Sequence, residues 1–87
     1  MPWPKPIGNC EVKISVEYAK KDERVWYWIN NYANRNKIPK QTTREIDQFR
    51  IGSPTFNEFL ILGFRSVKQM NVFQRLGNRE FPAFEFL

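Results

Sequence analysis

The chain reads as an α+β domain of order β-α-β-β-α-β, with four strands in one antiparallel sheet and two helices on one of its faces. Three observations predict it: a strictly alternating run over Cys10–Tyr18, a helical stripe over Val25–Ala33, and an apolar run at Phe59–Phe64 followed by a fresh helix start at Ser66. This is the ferredoxin-like order, one that hosts many unrelated functions. At 87 residues there is room for one domain, read as 10–87 behind a proline-rich arm over 1–9.

Residues 2–8 carry three prolines, and Trp3 sits between two of them; the segment reads as extended, with Trp3 packing on the body or serving as a docking element. Cys10, Val12, Ile14, Val16 and Tyr18 then alternate with Glu11, Lys13, Ser15 and Glu17, which is the period of a strand with one wet face. Ala19 to Ile38 reads as a helix. Asp22 is its N-cap, Glu23 complements the dipole of the first turn, and Val25, Trp28, Ile29, Tyr32 and Ala33 form its apolar stripe. Four asparagines weaken its end and Pro39 closes it.

Gln41–Ile51 fits either state. As a strand it pairs Phe49 with Ile51 on one face. As a helix, Thr42 to Glu45 offers a capping box and Gly52 a stop. Phe56 to Phe64 is apolar on both sides, as a central strand would be. Ser66-Val67-Lys68-Gln69 is a second capping box, opening a helix that carries Val67, Met70, Phe73 and Leu76 and stops at Gly77. Phe84 and Phe86 share one face of a closing strand. The alternative architecture takes residues 42–64 as a helix-turn-helix-like pair, but Asp47 and Gln48 stand where that motif wants small or apolar residues.

Composition removes most chemistries. No histidine is present, so Ser–His and Cys–His nucleophiles are impossible. One cysteine, Cys10, permits neither an intrachain disulfide nor a zinc site, suits a reducing compartment, and sits on the apolar face of its strand as a small hydrophobe. The four glycines stand apart and form no phosphate loop. The N-terminus lacks a signal-peptide run, and the longest apolar run, six residues, is far short of a membrane span. The expectation is a cytoplasmic, non-catalytic protein with no metal and no cofactor.

Charge is the positive signal. The net +5 comes from 14 Lys/Arg against nine Asp/Glu, and no acidic residue occurs between Glu23 and Glu45. That span holds Arg24, Arg35, Lys37, Lys40 and Arg44, so the rest of the chain is neutral. Such a segment attracts phosphates or an acidic protein surface, and its plainer reading is a solvated face that aids solubility. For nucleic acid, RNA or DNA, the expected contacts are those five cations with Tyr27, Asn31 and Asn34 from the helix's exposed side. The element order is shared with RNA-recognition modules, but Glu11, Lys13, Ser15 and Glu17 cannot stack bases as their open sheet faces do, so no membership follows. The second expectation is a protein-binding module, an inhibitor or an adaptor of the kind mobile elements encode. It would use an apolar sheet face with Phe59 and Ile61 (or Leu60 and Leu62), or Phe84 and Phe86 on the closing strand, and self-association as a homodimer would cover the same face.

Overall fold

A computed structural model describes residues 6–8, 10–46 and 56–84. Chain order is β1 (Pro6–Ile7), β2 (Glu11–Ser15), α1 (Val16–Lys20), α2 (Glu23–Arg35), β3 (Lys40–Ile46), β4 (Phe56–Gly63) and α3 (Val67–Glu80). The three longer strands form an antiparallel sheet ordered β2-β4-β3, and the two-residue β1 adds to the β2 edge.

The ferredoxin-like arrangement is not formed. Among the described residues there are three helices rather than two, and residues 81–84 form no strand. Phe81–Phe84 is turn, because its two phenylalanines find the core without a strand: Phe81 meets the edge of Trp28 and Phe84 lies 5.3 Å from Tyr18. The helix-turn-helix alternative also falls, since residues 40–46 and 56–63 pair as β3 and β4. Phe86, Phe49, Ile51 and Trp3 lie outside the described residues.

The first strand is shorter than its alternation suggests. Ser15 ends β2 and caps α1, its hydroxyl accepting the Tyr18 N–H at 3.3 Å. Val16 and Ala19 then face the core one helical turn apart, so Val16 is buried from a helix, not from a strand. Asp22 begins α2 as read, its carboxylate accepting the Arg24 N–H at 3.1 Å. Helix α3 begins at the Ser66 cap and runs three residues past Gly77, which is buried inside it.

The core lies between the sheet and the helices. Val12 and Ile14 of β2, Leu60 and Leu62 of β4, and Val25, Ile29 and Ala33 of α2 are all buried. Phe73 of α3 is fully enclosed, with the rings of Trp28, Tyr32 and Phe64 at 5.6, 5.3 and 5.3 Å. Cys10 is half-buried in the turn before β2 and packs against this core, where its carbonyl accepts the Phe64 N–H at 2.7 Å.

Candidate functional site

The five cations of the basic segment do not form one cluster. Arg24 stands in the first turn of α2 and Arg35 in the last, about 16 Å apart at 1.5 Å per residue. Arg24 is also neutralised: its guanidinium lies 3.3 Å from the Asp22 carboxylate. That bond, with the cap N–H groups, holds the Asp22 carboxyl below its ordinary pKa despite the opposing cost of desolvation. The stabilisation is therefore complete above the ordinary carboxylate pKa and is lost as pH falls through the depressed one. Arg24 and Asp22 line a cleft of about 370 Å³ beside Lys21, Glu80 and Phe84, and none of Arg35, Lys37, Lys40 and Arg44 lines it.

Arg35, Lys37 and Lys40 stand where α2 ends and the chain passes into β3. The Ile38 N–H donates to the Ala33 carbonyl at 2.8 Å and the Lys37 N–H to that of Asn34 at 3.4 Å, a paired closure of the last turn. Ile38 and Ala33 are both buried beneath it. Lys37 occupies the left-handed position of this closure, with φ of 53°. Asn36 adds its side-chain amide to the Tyr32 carbonyl at 2.9 Å. Part of the local positive charge complements the negative end of the helix dipole.

Lys40 and Arg44 follow on β3. In the pairing of β3 with β4, Lys40 stands opposite Leu62 and Thr42 opposite Leu60, so Lys40, Thr42, Arg44 and Ile46 share the helix-side face. All four are exposed: no helix packs closely on β3 among the described residues, and Arg44 and Ile46 lie past the end of β2. Lys40 Nζ donates to Asn30 Oδ1 of α2 at 3.2 Å, which ties the strand to the helix. Arg35, Lys37 and Arg44 make no ion pair among the described residues. Tyr27, Asn31 and Asn34 line the outer ridge of α2 at i, i+4 and i+7, all exposed, Tyr27 at 68%.

The residues read as a protein interface fare differently. Phe59 and Ile61 lie on the sheet face away from the helices, as the burial of Leu60 and Leu62 requires, and both are half-buried. Lys13 Nζ rests 4.2 Å over the Phe59 ring and is bound to Glu45 of β3, so neighbouring strands cover that ring. Phe84 is buried against Tyr18 and belongs to the core. Two exposed apolar residues were not among the expected interface residues. Ile46 and Phe56 oppose each other at the far end of β3–β4, 60% and 58% exposed. Only the pairing register brings the two together, since they lie ten residues apart in the chain.

Among the described residues no group of three or more His, Cys, Asp or Glu could hold a metal, and no helix is long and apolar enough to cross a membrane. No protein family model matches the chain, and no curated protein or solved structure matches it significantly.

Proposed function

We propose that this chain is a small, non-catalytic, cytoplasmic protein that binds nucleic acid, its phosphates meeting Arg35, Lys37, Lys40 and Arg44. Tyr27, Asn31 and Asn34 are the adjoining polar and aromatic contacts. One observation carries the reading: three of these four cations have no carboxylate partner among the described residues, and the fourth is held only by an amide. Unpaired cations lining one end of a helix and one strand face fit a polyanion better than they fit an internal ion-pair network. Arg24, bound to Asp22 at the other end of α2, is left out of the contact set.

The test is binding of labelled RNA and DNA over a series of salt concentrations. Four phosphate contacts release counterions with a slope of log affinity on log salt of about −3. Replacing Arg35, Lys37 and Lys40 together with alanine should bring the slope to about −1, while replacing Lys68 and Arg79 of α3 should leave it unchanged. A wild-type chain with no salt-sensitive binding at low ionic strength would end this reading. A second reading, docking on an acidic protein as an inhibitor or adaptor, draws on one observation: among the described residues β3 is a sheet edge, a place for strand addition beside Lys40 and Arg44.

A further inference from the structure

We propose that the end of the β3–β4 hairpin is a stacking platform for single-stranded nucleic acid: one base lies on Phe56 beside Ile46, and the strand's phosphates follow Arg44 and Lys40. This rests on the nucleic-acid reading above and adds the class of ligand and the residue that meets a base.

The register defines the platform. β2 pairs with β4 only as far as Phe59, whereas β3 pairs with it as far as Phe56. The pairs Arg44–Glu58, Glu45–Asn57 and Ile46–Phe56 therefore form a two-stranded ribbon beyond the third strand, about 10 Å long at 3.3 Å per residue. Such ribbons are marginal in water, and this one holds two large apolar side chains open to solvent. Phe56 and Ile46 share the helix-side face with Arg44 and Lys40, which continues from the cations at the end of α2. An aromatic ring at the end of a cationic track is what sequence-tolerant binding of single strands needs.

Charge favours a single strand over a duplex groove. A groove brings phosphates to both sides of a ribbon, and the other face carries Glu45 and Asn57, with Lys13 already bound to Glu45. Among the described residues the only carboxylate on the helix side of the ribbon is Glu58, half-buried on β4, while the cations lie on β3. The strand spacing of about 4.8 Å separates the cationic track from the Phe56 ring, as a sugar separates phosphate from base.

The experiment uses the full chain, labelled oligouridylate and oligothymidylate, a blunt duplex of equal length, and vesicles containing phosphatidylserine. Phe56→Ala should weaken binding of both single strands about ten-fold without changing the salt slope, since it removes stacking and no charge. Phe56→Trp should restore the affinity, and duplex binding should be indifferent to both. Weakening confined to one of the two oligonucleotides also supports the platform and names the strand it prefers. The exposed ring leaves both variants with a wild-type thermal melt. If wild type binds polyanions with the expected salt slope and Phe56→Ala binds single strands equally well, the platform is overturned while the basic surface stands. Phe56-dependent binding to the vesicles alone would also overturn it. No binding to any polyanion would remove the underlying reading first.

Discussion

At Lys37 the backbone adopts a conformation in which an L side chain crowds its own carbonyl, and glycine is free of that crowding. Lys37→Gly should therefore stabilise the fold by about 1 kcal/mol, a rise of roughly 4–8 °C in melting temperature for a domain this size, read by circular dichroism. Lys37→Ala keeps the Cβ and should show no such gain, which separates the backbone effect from the lost charge. None of this was legible in the sequence, where Pro39 looked like the stop; the helix ends earlier, through main-chain bonds that reach back from Lys37 and Ile38. The caps at Asp22 and Ser66 were legible. A small polar residue just before an apolar helical stripe has few other uses.

Among the elements, α3 depends most visibly on its first turn. The Ser66 hydroxyl accepts the Gln69 N–H at 3.2 Å, and Gln69 reaches back to accept the Arg65 N–H at 2.8 Å, one residue earlier than the usual reciprocal bond. Ser66→Ala should cost about 1 kcal/mol, seen as a lower urea midpoint with an unchanged m-value, and Ser66→Asp should retain most of the stability. Element ends were harder to read than starts. Val16 and Tyr18 prolong the alternation of β2 by chance, because a five-residue helix is too short to establish a competing period. Gly77 looked like a terminus, but its burial within α3 offsets the poor helix propensity of glycine. The segment after Pro39 fits two states in sequence, and pairing with β4 decides for the strand. The basic surface was partly legible for a related reason: charge can be counted along a chain, but whether a cation is already paired, as Arg24 is by Asp22, depends on the cap geometry.

For the molecule as a whole, Phe73 is the hub through which α2, α3 and the residue after β4 share one core. Phe73→Ala should cost about 3–5 kcal/mol, a large share of the 5–15 kcal/mol that holds a typical domain, so the variant should lose cooperative melting or melt far lower. Phe73→Leu should cost less and keep one transition. The overall architecture was misread at its C-terminal end. Apolar spacing at Phe81 and Phe84 records that these rings are buried, and a turn folded back on Trp28 and Tyr18 buries them as well as a strand would. The place of β4 has a consequence for how the protein is made. β2 and β3 each pair with β4 and not with one another, so two of the three long strands leave the ribosome before the strand that joins them. Until residues 56–63 are synthesised the only strand pairing available is the two-residue one of β1 with β2, so folding becomes a late event that closes around one segment.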